Sequence, residues 1–170
     1  AVHELIVGVR GDLDGVRYAG DRELLRYCYR VAGTVGLLMC GVIGVDDEDA
    51  WPFALDLGIA MQLTNICRDV LEDARMGRVY VPAARLEAHQ ASQALVLDER
   101  AHVGVRATIA ELIELAERYY RSADEGLPPP MRDEVELWPV CETCSNKIAV
   151  SERTPERLHE MEACTDRGAG

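Results

Sequence analysis

Between Leu57 and Asp73 the chain carries a run whose polar residues recur at one helical face while apolar residues cover most of the remainder. At about 100° per residue, Gln62, Asn65, Asp69 and Asp73 fall within about 40° of one direction. Gly58 shares that face and Glu72 lies slightly aside, whereas Ile59, Leu63, Cys67, Val70, Leu71 and Ala74 wrap most of the circumference. The apolar arc is wider than a surface helix needs. Two carboxylates and an amide oxygen project together, a donor set that suits a hard cation such as Mg²⁺ with substrate phosphate oxygens completing its shell. A solvated polar stripe has the same spacing. Such a stripe usually mixes in Lys or Arg for local pairing, and this one has none. Spacing alone leaves both readings open.

The rest of the chain is also helical in pattern. Aromatics make up only 5% of the 170 residues, and Ala, Leu, Val, Glu and Arg dominate, a composition that favours helices over sheets. Apolar spacing predicts a helix from Val2 to about Val16 and a connector at Arg17–Gly20. A second helix, capped by Asp21, is expected to run to about Val45. The acidic turn Asp46–Asp49 leads to a third helix that reaches about Arg75, with Pro52 tolerated near its start and Gly77 as C-terminal cap. Arg78–Pro82 reads as extended, Ala84–Leu86 as a short turn, and Asp98–Glu125 as a long helix closed by Gly126 and three prolines. The expected fold is all-α. Residues 1–130 form its helical domain, and 131–170 an atypical Cys-containing tail that adds little to the core.

Tyr27-Cys28-Tyr29-Arg30-Val31-Ala32-Gly33-Thr34-Val35-Gly36-Leu37-Leu38-Met39 is the second informative stretch. Tyr27, Val31 and Val35 are spaced by four and are expected to share a face. Gly33 and Gly36 sit mid-helix, where each costs about 1 kcal/mol relative to Ala. That cost implies a need for backbone room, either for close helix packing or for a ligand. Tyr27 is open to two readings as well, because a buried tyrosine with one hydroxyl partner is common.

Together the two stretches resemble the squalene and phytoene synthase family. The first pattern stands as Tyr27-Cys28, Val31-Ala32-Gly33, Val35-Gly36 and Met39. The second stands as Leu57-Gly58, Gln62, Asn65-Ile66, Arg68-Asp69, Asp73 and Arg78-Val79-Tyr80-Val81-Pro82. The motifs occur without a gap and in order, and the resemblance spans roughly Leu5 to Leu127. It implies an isoprenoid synthase type helical bundle in which two prenyl diphosphates, farnesyl or geranylgeranyl, condense head to head through a cyclopropylcarbinyl diphosphate. Mg²⁺, or Mn²⁺ in its place, would grip the diphosphates; NADPH would be needed only for squalene formation. By the resemblance, Asn65, Asp69 and Asp73 are metal ligands, and Tyr27, Asp69 and Asp73 are the catalytic set. Gln62, Asn65, Arg68, Arg78 and Tyr80 contact substrate, and Val31, Val35 and Met39 border the prenyl channel. The wording around Gln62–Pro82 is closest to the bacterial carotenoid enzymes, so phytoene is the expected product. The family's first Asp-rich motif lies on an earlier helix, and Asp12 and Asp14, two residues apart, do not match it. The chain is therefore expected to be a C-terminal-half fragment that lacks that helix and the last helices and is inactive alone. An inactive helical remnant serving as a binding or assembly subunit is the alternative.

The chemistry of an anionic substrate has to be squared with a net charge of −12, from 30 acidic and 18 basic residues. Divalent ions bridging carboxylate to phosphate would do so. The same charge excludes nucleic-acid binding, which rests on clustered Lys and Arg, and no polybasic membrane patch is present. The longest nearly uncharged run, Val31–Val45, is too short to span a bilayer. A cytoplasmic protein is expected, with peripheral membrane contact for release of an apolar product. Cys28, Cys40 and Cys67 lie in apolar helical patterns and read as small buried residues. Cys141, Cys144, His159 and Cys164 have the spacing of one Cys₃His zinc site, or are an accidental tail.

Overall fold

The computed structural model describes residues 1–13 and 15–126. Asp14, the boundary expected at residue 130, and the Cys141, Cys144, His159 and Cys164 set lie outside the described residues. Among those described the chain forms helices α1 (Val2–Gly11), α2 (Asp21–Cys28), α3 (Thr34–Ile43), α4 (Trp51–Arg68), α5 (Val70–Arg75), α6 (Ala83–Ala88) and α7 (His102–Glu125). The all-α expectation holds, and several boundaries move for identifiable reasons.

Helix α1 stops at Gly11 rather than near Val16, because Asp12 and Leu13 donate to the carbonyls three residues back, Val9 at 3.2 Å and Arg10 at 3.1 Å. That tightening closes the last turn. Asp21 is the first residue of α2, not its cap. Gly20 takes the extended cap position, and the Glu23 carboxylate reaches back to accept from the Ala19 amide at 2.6 Å. The helix expected from Asp21 to Val45 divides, with a π-helical turn at Tyr29–Gly33 between α2 and α3. Gly44 then ends α3 at φ 78°, and the Val45 amide closes back on the Cys40 carbonyl at 2.9 Å. The third expected helix kinks at Asp69, where φ is −101° and ψ is 12°. Ala84–Leu86 lies within α6 rather than in a turn, and Asp98 caps a 3₁₀ turn, Glu99–Ala101, that precedes α7.

Packing centres on α4, which lies against α3 on one side and α7 on another. Leu24, Leu63, Leu86 and Leu112 are fully buried between the helices, each worth about 1.5–3 kcal/mol relative to exposure. Glycine decides how closely α3 and α4 cross. A Cβ on Gly36 would strike the Ala54 carbonyl, and one on Gly58 would strike the Ala32 carbonyl. Helix packing thus offsets the cost of glycine at Gly36 and Gly58, whereas a Cβ on Gly33 would meet only ordinary contacts, so no close approach requires glycine there. Cys28 and Cys40 are buried, as expected, whereas Cys67 is half-buried.

Extended backbone after α5 returns across the bundle. The Val79 amide donates to the Val16 carbonyl at 3.0 Å and the Ala83 amide to the Tyr18 carbonyl at 2.9 Å. Gln93 fixes the same crossing, since its side-chain amide donates to the carbonyls of Tyr18 and Val81, both at 2.9 Å. This crossing buries Val79, Tyr80 and Val81. No helix among the described residues is long and apolar enough to cross a membrane.

Candidate active site

The last turns of α4 and all of α5 place the acidic residues. Although the helix kinks at Asp69, its ladder continues through that residue: the Asp69 amide donates to the Asn65 carbonyl at 2.9 Å, and the Asp73 amide to the Asp69 carbonyl at 2.8 Å. Asn65, Asp69 and Asp73 therefore stay on one side, with Gln62 a turn earlier. Helix α5 ends in a Schellman motif. Gly77, at φ 80°, donates to the Ala74 carbonyl at 3.0 Å, and Arg78 donates to the Asp73 carbonyl at 2.8 Å. The left-handed residue is one that glycine adopts without strain. It reverses the chain so that Tyr80 comes back beside α2.

These elements enclose a cleft of about 240 Å³ lined by Gln62, Asn65, Arg68, Asp69 and Asp73, by Tyr27 and Tyr80, and by Ile66. The Tyr27 and Tyr80 rings stack with centroids 4.9 Å apart and planes at 27°, and Tyr18 lies 5.8 Å from Tyr27. The Tyr27 and Tyr80 hydroxyls converge on Asp12, a residue outside the two stretches that carry the resemblance. Tyr27 donates to one oxygen of Asp12 at 3.2 Å, and Tyr80 donates to the other at 3.0 Å. Asp12 follows α1 in a turn, so no helical spacing marks it, and nothing else in the sequence does.

Burial raises the pKa of Tyr27, with the Tyr80 hydroxyl next in effect and the Asp12 charge acting the same way. Burial also raises Tyr80 and Tyr18. All three phenols are protonated at neutral pH. Asp73 is raised above the usual carboxylate value, first by partial burial. The Arg78 guanidinium opposes the rise, while the negative charges of Asp69, Glu72 and Asp12 add to it. The cleft thus holds a local surplus of negative charge.

Asp69 is held by its neighbour. Arg68 donates through Nε and Nη2 to the two Asp69 oxygens, each at 2.7 Å. Among the described residues no three His, Cys, Asp or Glu side chains stand close enough to form a metal cluster. The donors on offer are two carboxylates and the Asn65 amide. That all-oxygen set, with surplus negative charge at Asp73, fits a divalent cation that takes its remaining ligands from phosphate or water.

Of the residues expected at the site, Tyr27, Gln62, Asn65, Arg68, Asp69, Asp73 and Tyr80 come together. Arg78 stands at the margin, where the neighbouring Tyr80 and the charges of Asp73 and Asp12 raise its pKa. Its Nη2 donates to the Met76 sulfur at 3.3 Å. Val31, Val35 and Met39 do not line the cleft. Val31 lies against Gly8 of α1, while Val35 and Met39 are 38% and 48% exposed on α3. The π turn Tyr29–Gly33 lies between Tyr27 on α2 and Val35 on α3.

Residues 1–160 match the family model described as squalene/phytoene synthase, a longer stretch than Leu5–Leu127. A 15-cis-phytoene synthase from Enterobacter agglomerans is 44% identical over 123 residues, covering 72% of this chain and 42% of that protein. The chloroplastic phytoene synthase 3 of Zea mays is 43% identical over 143 residues, covering 81% of this chain and 33% of that protein. The chain thus spans less than half the length of these relatives. Among solved structures, a squalene synthase from Alicyclobacillus acidocaldarius aligns with a TM-score of 0.68 at 29% identity. That alignment covers 77% of this chain and 51% of the other. A dehydrosqualene synthase solved with a ligand aligns at 0.64 and 32% identity, covering 72% and 43%.

Proposed function

We propose, from the premise that this chain belongs to the squalene/phytoene synthase family, that the whole protein joins two prenyl diphosphates head to head, with phytoene as product. The observation that carries the reading is the cleft. It gathers Tyr27 from α2, Gln62, Asn65 and Arg68 from α4, Asp69 at the kink, Asp73 from α5 and Tyr80 from the returning extended segment. Most of the polar and charged motif residues thus converge on one small volume.

Asn65, Asp69 and Asp73 would hold Mg²⁺, or Mn²⁺. Its contribution when bound is to neutralise the diphosphate charge and so make diphosphate a better leaving group. The side chains do the rest. Arg68 and Arg78, at the cleft and its margin, attract and orient the diphosphate, and Arg68 exchanges its Asp69 partner for phosphate oxygens in doing so. Gln62 fixes the diphosphate end by hydrogen bonding. Val35 and Met39 offer an apolar strip on which a prenyl chain can lie. Dry surroundings are needed because a carbocation is quenched by water. The Tyr27 hydroxyl, held beside the cleft in protonated form, assists the first half-reaction, which forms the cyclopropylcarbinyl diphosphate. Phytoene formation needs no NADPH. Its apolar product favours a cytoplasmic protein that touches the membrane to release it.

The test is hydrocarbon formation by the whole protein from geranylgeranyl diphosphate, with farnesyl diphosphate in parallel, with Mg²⁺ and with chelator. Phytoene from geranylgeranyl diphosphate, abolished by chelation, is the expected outcome. Absence of head-to-head product from either substrate with Mg²⁺ present would overturn the reading.

A further inference from the structure

We propose that Asp12 is a positioning residue of the cleft, whose carboxylate fixes the hydroxyls of both Tyr27 and Tyr80. Its kinetic consequence rests on the function proposed above; its structural content does not. Each phenol carries one proton, and both are spent on Asp12, Tyr27 on one oxygen at 3.2 Å and Tyr80 on the other at 3.0 Å. The hydroxyl oxygens then turn lone pairs, not protons, toward the cleft. A carboxylate accepts such bonds more strongly than a neutral group, so the two stacked rings are locked in rotation at the point where α2 meets the returning extended segment.

The fold holds Asp12 firmly in this place. Helix α1 is clamped to the π turn at two points. Gly8 packs so closely that a Cβ there would lie 2.8 Å from Arg30 Cβ and from Val31 Cγ1. Glu4 accepts from Arg30 Nε at 2.8 Å. Glu4 lies in the first turn of α1 and Gly8 in its last, so the whole helix up to Asp12 has little freedom relative to the π turn that follows Tyr27. The Asp12 charge also reaches the metal-binding side of the cleft, where it adds to the field around Asp73.

Two measurements separate this role from simple packing. In the chain labelled with ζ-¹³C tyrosine, the Tyr27 and Tyr80 signals of Asp12→Asn should both shift, because an amide accepts more weakly, while those of Tyr29 and Tyr120 stay in place. Unmoved Tyr27 and Tyr80 signals in a folded Asp12→Asn chain would overturn the proposal. Should that variant not fold, Asp12→Glu, which keeps the charge but displaces the oxygens, must move the same two signals; no movement overturns it equally. In the whole protein, Asp12→Asn should lower kcat by up to about 100-fold, the scale of a misplaced reacting group, with KM within about 3-fold. On a Tyr27→Phe background the same change should cost markedly less than in the parent, since only the Tyr80 hydroxyl then remains for Asp12 to hold. Fully additive losses would overturn the proposal. If the whole protein makes no prenyl product at all, the assigned function falls while the labelled-tyrosine result still decides the role of Asp12.

Discussion

Replacing Gly58 by alanine sets a methyl group against backbone that has no freedom to yield. The new Cβ would strike the Ala32 carbonyl oxygen and lie 2.6 Å from its carbon and 2.8 Å from the Gly33 nitrogen. Restoring ordinary contact requires α4 and the π turn to part by roughly 1 Å, and a gap of that size forfeits a quarter to a half of the dispersion energy at the crossing. Overpacking of this kind costs about 3 kcal/mol, and the better helix propensity of alanine returns about 1 kcal/mol. The expected net loss is about 2 kcal/mol. Gly33 is the internal control. An alanine Cβ there meets nothing closer than 3.4 Å, at Leu55, so Gly33→Ala should be neutral or stabilise by up to about 1 kcal/mol. Urea unfolding of both variants, followed by far-ultraviolet circular dichroism, measures the difference. A Gly58→Ala midpoint at or above that of the parent, or equal losses in the two variants, would refute the reasoning. The same displacement moves Asn65 and Asp69 relative to Tyr27, so Gly58→Ala should also depress turnover of the whole protein beyond its effect on folding.

Asp69→Asn should cut turnover of the whole protein by at least about 100-fold and weaken Mg²⁺ binding measured by calorimetry with pyrophosphate present. The fold should survive, because the pair that the Asp69 side chain makes with Arg68 is exposed; near-parental turnover would remove Asp69 from the ligand set. Tyr27→Phe should slow formation of the cyclopropyl intermediate by about 10²- to 10⁴-fold and spare conversion of supplied intermediate, whereas equal small losses in both steps would make Tyr27 a packing residue. Asp73 carries a raised pKa, so the fold favours its protonated form: that stability is complete below the ordinary value of 3.8 and is lost as pH rises through the raised value. Asp73→Asn should therefore raise the melting temperature near neutral pH, by no more than about 3 °C for a group only partly buried, and leave it unchanged near pH 3. Equal effects at both pH values would contradict the assignment. Val42 and Ile43 on α3 and Ile6 and Val9 on α1 are 77%, 67%, 55% and 53% exposed. Sedimentation of the 170-residue chain should accordingly show association that Val42→Lys with Ile43→Lys reduces; a strictly monomeric parent would rule this out.

The parts of the site that lie on one helix are legible in the sequence itself. Gln62, Asn65, Asp69 and Asp73 share a face because helical periodicity is a local property, and the kink at Asp69 is too mild to undo it. The glycines are legible as a demand for backbone room, but their purpose is not. Gly36 opposes Ala54 and Gly58 opposes Ala32, pairings set by how two helices cross. The π turn between Tyr27 and Val35 is not legible in the sequence, because a locally wider turn leaves no mark in composition.

Helical content, the acidic face, the turn at Gly77 and family membership follow from residues close together in the chain, where covalent geometry fixes distance and direction. Asp12 required the fold. Its partners stand 15 and 68 residues away, and on α1 alone it is an unremarkable carboxylate past the end of a helix. Only the clamp of α1 on the π turn, and the reversal at Gly77 that returns Tyr80, bring the three together. Long-range convergence of this kind depends on crossing angles and close approaches summed over several elements, and side-chain packing, not local spacing, sets those quantities.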